Sequence, residues 1–137
     1  MKVDSECAIE SGLDAALEGL LSTAGVVGAI LATADGFPLA VRLPVRQDRD
    51  SLAAGAAALA GLAAQVLARL ESGGLDLAIF DADEMRVLVR PLSLGFLLVV
   101  GDTEANVGLI AEDMRRAASD LETAAAALPI NRRDELP

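Results

Sequence analysis

The residues with the greatest capacity for chemistry lie between positions 76 and 90, where a group of carboxylates precedes two arginines. Asp76, Asp81, Asp83 and Glu84 carry the oxygen ligands that a hard cation such as Ca²⁺ prefers. A calcium site takes about six to eight oxygens, and the segment 81–84 is far shorter than the ~12-residue calcium loop. We therefore interpret these carboxylates as a solvated hairpin turn and expect no bound metal.

Arg86 and Arg90 are the second candidate group, because their even spacing places them on one face of a β-strand. Two guanidinium groups on one face are able to bind an anion. More often such a pair belongs to a sheet surface that faces solvent, since charged side chains are seldom fully buried. We favour the solvent-facing interpretation.

The other requirements of an active site are missing from the sequence. There is no histidine, which excludes Ser–His and Cys–His catalysis, and the lone Cys7 cannot supply the thiolates of a zinc site. The single lysine, Lys2, lies at the N-terminus, and neither a phosphate-binding loop nor a dinucleotide-binding glycine motif is present. We expect no enzymatic activity and no cofactor.

Composition excludes several classes of partner. The chain has 137 residues, fits one domain, and carries a net charge of −10, which disfavours nucleic acid and anionic membranes. Its only aromatic residues, Phe37, Phe80 and Phe96, are too few for a base-stacking surface. We find no signal peptide and no apolar run of the ~18–20 residues that cross a bilayer, which favours a cytoplasmic protein with no membrane partner.

The hairpin around Asp35-Gly36 organises the predicted fold. The run 26–33 is apolar without polar alternation, which predicts a strand covered on both faces and therefore central in a sheet. Asp-Gly is the dipeptide that a two-residue type I′ turn prefers, so a second strand, beginning at Pro38, is expected to return antiparallel. Pro38 cannot donate to a ladder, which places that strand at an edge or makes Pro38 its first residue.

The same patterns define the remaining elements. Three helices are predicted: 10–23, capped by Ser11; 51–70, capped by Asp48 or Asp50; and a last helix that Thr103 caps and Pro129 ends. Five strands are predicted, at 26–33, 38–43, 75–81, 85–90 and 95–101. Tight hairpins imply antiparallel strands, so the predicted fold is α+β, with helices on both faces of a five-stranded antiparallel sheet in the order α-β-β-α-β-β-β-α. The domain covers residues 10–128, between flexible termini 1–9 and 129–137.

The middle helix is the most informative element for function, because it has no charged residue between Asp50 and Arg69. Alanine is the best helix former, but propensity does not explain an uncharged outer face. Two explanations are open: complete burial within one subunit, or packing against a second copy in an isologous dimer. We favour the dimer, in which the strand 75–81 also pairs with its own copy and removes a sheet edge.

The ordered combination of these segments resembles the Roadblock family, which is related to a dynein light chain. The resemblance is carried by the segment 25–29, the Asp35-Gly36 turn with the segment 38–40, the alanine-rich helix, and the segment 106–110 that opens the last helix. It implies a profilin-like sandwich that forms a homodimer through the middle helix and the strand after it. Members of this family are adaptors that bind small Ras-like GTPases, and some bacterial members are GTPase-activating proteins.

The resemblance implies a dimer surface, and the helical and strand periods select its residues: Leu52, Ala56, Leu59, Ala63, Val66 and Leu77. An arginine inserted into a GTPase would come from Arg42, Arg46, Arg49, Arg86, Arg90, Arg115 or Arg116. Nothing in the sequence selects among these arginines, and we favour scaffolding or ordering of the GTPase switch loops. The alternatives are a ligand-binding sensor domain and a purely structural dimer within a larger complex.

Overall fold

The computed structural model describes residues 2–44 and 48–126, which form one five-stranded sheet between two helical layers. The helices are α1 (Lys2–Leu21), α2 (Arg49–Arg69) and α3 (Val107–Ala126), and the strands are β1 (Val26–Thr33), β2 (Pro38–Arg42), β3 (Ala78–Asp81), β4 (Met85–Leu92) and β5 (Gly95–Asp102). This is the predicted order of elements, and the α+β sandwich is confirmed.

The sheet has the strand order β2-β1-β5-β4-β3, and every neighbouring pair is antiparallel. The two strands that are apolar on both faces, β1 and β5, lie side by side in the interior of the sheet, with Ile30 opposite Leu98. β2 forms one edge and starts at Pro38, while β3 forms the other edge. The positions predicted for β1, β2 and β5 are therefore confirmed.

Two cores lie on opposite faces of the sheet. On one face α1 and α3 pack over β1, β4 and β5, where Leu17, Leu31, Leu97 and Met114 are fully buried. On the other face α2 packs alone, and its contribution to the buried core is Ala53 and Ala56. The helical layers are therefore unequal, since two helices cover one face and one helix with small side chains covers the other.

The β1–β2 turn differs from the predicted two-residue turn. The amide of Gly36 donates to the Thr33 carbonyl over 2.9 Å, and the Thr33 amide donates to the Phe37 carbonyl over 2.9 Å, which leaves a three-residue loop. Among the three loop residues 34–36, Gly36 alone has a positive φ, of 93°, whereas a type I′ turn needs two such residues. The arrangement is the usual three-residue hairpin, a turn closed by a left-handed glycine.

Several predicted boundaries also change. α1 begins at Lys2, so Ser11 lies inside the helix and is not its N-cap. α3 begins after Asn106, whose side chain accepts from the Leu109 amide over 3.0 Å, and the predicted cap at Thr103 is wrong. The predicted helix end at Pro129 and the tail 129–137 lie outside the described residues, and the domain bounds stay a prediction.

Candidate interaction surface

Local hydrogen bonds and backbone geometry define where α2 begins and ends. At the start, the Asp48 carboxylate accepts from the amide of Ser51 over 3.2 Å and from its hydroxyl over 2.8 Å, which confirms one of the two predicted caps. These hydrogen bonds from Ser51 lower the pKa of Asp48. At the other end, Glu71 and Gly73 have positive φ values of 54° and 96°, so the chain leaves the helix directly after Leu70.

The side of α2 that faces the sheet is built from small residues. Ala53 is fully buried and Ala56 is 4% exposed. Gly36 of the hairpin packs so closely that a Cβ atom there would lie 2.9 Å from the Cα of Ala54. Short side chains allow the helix to approach the sheet closely. As a consequence, most of the larger apolar side chains in the second half of α2 remain exposed.

These larger side chains form an exposed apolar stripe along α2. The stripe consists of Leu59, Leu62, Val66 and Leu70, which are 46%, 59%, 57% and 69% exposed. Their spacing of three and four residues keeps them on one side of the helix. No charged residue lies within it, because the charges of α2 stand at its first turn and its last turn. Contiguous exposed apolar residues mark interaction sites on soluble proteins.

An apolar groove of about 190 Å³ runs between α2 and the β3–β4 side of the sheet. Leu59 of the stripe borders the groove, and Phe80 and Val87 form part of its floor. Beyond the groove, β3 pairs with β4 on one side only, through four residue pairs from Ala78–Val89 to Asp81–Arg86, and forms the sheet edge. The stripe, the groove and the free edge are neighbours and together form the candidate interaction surface.

The residues proposed from the sequence are distributed unequally over this surface. Leu59 and Val66 belong to the exposed stripe, and Leu52 and Ala63 are partly buried at its margin. Ala56 belongs to the core between α2 and the sheet. Leu77 lies before β3 and packs against the core under α1 and α3, on the other face of the sheet.

The dimer surface predicted from the sequence lacks four residues of the candidate interaction surface: Leu62 and Leu70 in the stripe, and Ile79 and Phe80 at the sheet edge. Leu62 follows Leu59 by three residues, and Val66 and Leu70 continue the spacing by four, so the series of larger side chains was visible in the sequence. The selected series ran through Ala56 and Ala63 because alanine and glycine together occupy 11 of the 21 positions of α2, so that most rotations of the helix look apolar.

Arg90 is buried and Arg86 is partly buried, with 31% of its side chain exposed, which corrects the interpretation of both as solvent-facing. They lie on the face of β4 that α3 covers, because Leu88 between them on the same face is fully buried in that core. Arg86 pairs with Asp81 over 3.2 Å and donates to the Ala105 carbonyl over 3.3 Å. Both partners belong to this chain, so the pair of arginines is not arranged as an open anion site.

The structure also locates the other arginines that could be inserted into the active site of a GTPase. Arg42 pairs with Glu18 over 2.9 Å and with Asp14 over 3.0 Å, and the hydrogen bond to Glu18 and the charge of Asp14 raise its pKa. Arg115 and Arg116 pair with Glu112 and Asp113 on α3. Arg49 opens α2, and Arg46 lies outside the described residues.

The carboxylates proposed as a solvated turn are divided between two ion pairs and the hairpin tip. Asp76 pairs with Arg90 and Asp81 with Arg86, while Asp83 and Glu84 are exposed between β3 and β4. Within residues 2–44 and 48–126, no group of three or more His, Cys, Asp or Glu side chains is placed to hold a metal ion.

One helix of the described part of the chain, α2, is long and apolar enough to cross a membrane by length and composition alone. The sequence-based prediction that no apolar run is long enough to cross a bilayer is therefore wrong for α2. In this structure Ala53 and Ala56 pack against the sheet on one side of α2, and most of the apolar window is exposed on its other sides.

Comparison with known proteins places this fold in a family. The model of the Roadblock/LC7 domain matches residues 13–102. The uncharacterized protein MJ0714 of Methanocaldococcus jannaschii is 31% identical over 114 residues, which are 83% of this chain and 97% of that protein. The gliding protein MglB of Thermus thermophilus has a TM-score of 0.79 at 22% identity, covering 87% of this chain and 92% of its own. A second MglB structure, with a tetrameric arrangement, has a TM-score of 0.79 at 27% identity, covering 87% and 91%. The chain belongs to the Roadblock/LC7 family.

Proposed function

We propose that this protein is a non-enzymatic, cytoplasmic adaptor that forms a homodimer and regulates a small Ras-like GTPase. The observation that carries the proposal is the uncharged, exposed stripe of α2 beside the free edge of β3. Membership of the Roadblock/LC7 family supports the role, because members of this family are adaptors for such GTPases.

The dimer follows from what the exposed surface requires. Leu62, Val66 and Leu70 are more than half exposed, and burial of each such side chain stabilises an assembly by roughly 1.5–3 kcal/mol at most. A twofold axis beside α2 brings the stripe of one copy against the groove and stripe of the other. The same axis brings the two β3 edges together, so that neither edge is left open to other chains.

The regulatory step is assigned to ordering of the GTPase switch loops rather than to a donated arginine. A finger must enter the partner's active site, and Arg90 is buried while Arg42 and Arg86 are held in ion pairs within this chain. Arg49, Arg115 and Arg116 are exposed, and alanine variants at these three positions test the assignment directly. A rigid surface that binds the switch loops shifts them toward the conformation it prefers. The net charge of −10 favours a partner with a basic patch and a salt-dependent association rate.

Affinity capture from the native cytoplasm followed by kinetics tests this proposal. The tagged protein is expected to retain a small GTPase, and the purified pair is then assayed for GTP hydrolysis with arginine-to-alanine variants. Loss of an arginine finger reduces hydrolysis by about 10³–10⁵-fold, whereas switch ordering leaves the stimulation in place in every variant. Recovery of the protein with no GTPase contradicts the proposal.

The two alternatives make different demands on the surface. A ligand-binding sensor needs polar groups that converge inside an apolar pocket, and the groove beside α2 is lined by Ser51 and otherwise by apolar residues. A purely structural dimer predicts capture of a partner complex with no effect on GTP hydrolysis. The hydrolysis assay separates this last case from the regulator.

A further inference from the structure

Arg90 is the one charged residue that is buried in the described part of the chain. It lies on β4 beneath α3, where its side chain is 7% exposed, and one of its terminal nitrogens donates to the Ala111 carbonyl over 3.2 Å. The Nε atom is buried and has no hydrogen-bond partner. A guanidinium group does not lose its proton in a protein, so this site always holds a positive charge.

The carboxylate that balances this charge comes from the connection between α2 and β3. Nη1 of Arg90 lies 3.1 Å from Oδ1 of Asp76, whose side chain is 83% exposed. Asp76 belongs to residues 70–77, which join α2 to β3 and contain the adjacent glycines Gly73 and Gly74. The buried member of the pair is therefore fixed within the core, and the exposed member lies on the connection.

The ion pair stands where the β3–β4 ladder begins. The first paired residues are Ala78 and Val89, so Arg90 is the next residue of β4 beyond the ladder. Leu75 packs against the core under α2, whereas Leu77 packs against the core under α1 and α3. Asp76 therefore lies at the point where the chain passes from one layer to the other.

We propose that Asp76 and Arg90 are positioning residues that hold the α2–β3 connection in place and thereby align the end of the α2 stripe with the β3 edge for self-association. The second half of this inference rests on the proposed homodimer. The physical cause is the buried charge: without Asp76, Arg90 has no carboxylate within ion-pair distance among the described residues, and the connection loses the ion pair that joins it to β4.

Hydrogen exchange of the full-length protein tests the first half, with Asp81→Asn as a matched control. Asp81 lies at the other end of β3 and pairs with Arg86, whose side chain is 31% exposed. In Asp76→Asn, amide exchange in residues 73–78 is expected to rise about tenfold or more, because a buried charge has lost its partner. Asp81→Asn is expected to leave residues 73–78 within about twofold of the wild type, since surface pairs contribute little.

Two further variants distinguish positioning from general destabilisation. Asp76→Glu restores the charge and is expected to bring the exchange back to near the wild-type rate. Arg90→Met removes the buried charge, so adding Asp76→Asn to it is expected to cause no further increase. Equal effects of Asp76→Asn and Asp81→Asn, or an equal rise in β1 and β5, would overturn the inference.

The dimer dissociation constant, measured by sedimentation over a dilution series, tests the second half. It is expected to rise about tenfold in Asp76→Asn and to change less than about threefold in Asp81→Asn. Faster exchange with an unchanged dissociation constant overturns the link to self-association and leaves the positioning role. If the wild type is monomeric throughout, the dimer proposal itself fails, and the exchange experiment still decides the role of Asp76.

Discussion

Ala56 and Leu59 lie three residues apart in α2, yet Ala56 is 4% exposed and Leu59 is 46% exposed. The boundary between the core and the candidate interaction surface therefore runs between them. Ala56 belongs to the close contact of helix and sheet, while Leu59 begins the stripe that continues through Leu62, Val66 and Leu70. Substitutions on the two sides of this boundary are expected to affect different properties of the protein.

On the exposed side, Leu62→Glu is expected to weaken self-association without weakening the fold. A charge placed at the centre of the stripe must be desolvated when two copies pack together, which raises the dimer dissociation constant by about 30-fold or more. Gln65→Glu adds the same charge to an exposed position outside the stripe and is the control. Sedimentation measures both variants, and similar dissociation constants for the two would contradict the assignment of the stripe.

On the buried side, Ala53→Leu is expected to destabilise the subunit by ~1–3 kcal/mol, because Ala53 is fully buried between α2 and the sheet and the added carbons have no space there. Ala58→Leu, at an exposed position of the same helix, is the matched control and is expected to change stability by less than ~0.5 kcal/mol. Denaturant unfolding at a fixed protein concentration measures the difference. Equal stabilities would show that α2 has a different rotation on the sheet.

How much of α2 was predictable follows from its composition. Its existence, a cap at Asp48 or Asp50 and its lack of charge were all visible in the sequence, and the structure selects Asp48. Its rotation was not visible, because the absence of charged residues between its end turns removes the contrast between polar and apolar faces that normally orients a helix. The orientation depends on the close approach of Gly36 to Ala54, a contact between residues distant in sequence.

The cap of α2 gives a prediction about pH. Hydrogen bonds from Ser51 lower the pKa of Asp48 in the folded state, so its contribution to stability is present above the unfolded pKa and is lost as pH falls through the folded value. Asp48→Asn keeps a good cap that does not titrate. Between pH 7 and about pH 3, unfolding midpoints of the wild type should fall more than those of Asp48→Asn, since carboxylates titrate near pH 4. If the unfolding midpoints of the two proteins fell equally with pH, this role of Asp48 would be contradicted.

The segment that follows α1 gives a second stability prediction. Gly25 has a φ of 87°, and a Cβ atom there would lie 2.5 Å from the Cα of Ala105. Gly25→Ala is therefore expected to cost ~3 kcal/mol or more, from backbone strain together with a steric clash. Gly19→Ala, in α1, meets no atom within 4 Å and is expected to stabilise the protein by ~0.5–1 kcal/mol. Thermal unfolding of the two variants should shift in opposite directions.

The strands were more predictable than the side chains they carry. The bounds of β1 follow from an unbroken apolar run that ends before Asp35-Gly36, and the structure has the same bounds. Arg90 shows the limit of this reasoning, because alternation places a residue on a face but does not say what covers that face. Only the packing of α3 over β4 turns an apparent surface arginine into a buried one.

The most direct test of the central claim is the affinity of the captured GTPase for this protein in its two nucleotide states. A regulator that orders switch loops must bind one state more tightly, and we expect about a tenfold or greater difference between the GTP-analogue and GDP forms. We also expect Leu62→Glu to lose most of this binding while remaining folded. Equal affinity for both nucleotide states, or full binding by a monomeric Leu62→Glu variant, would contradict a dimeric GTPase regulator.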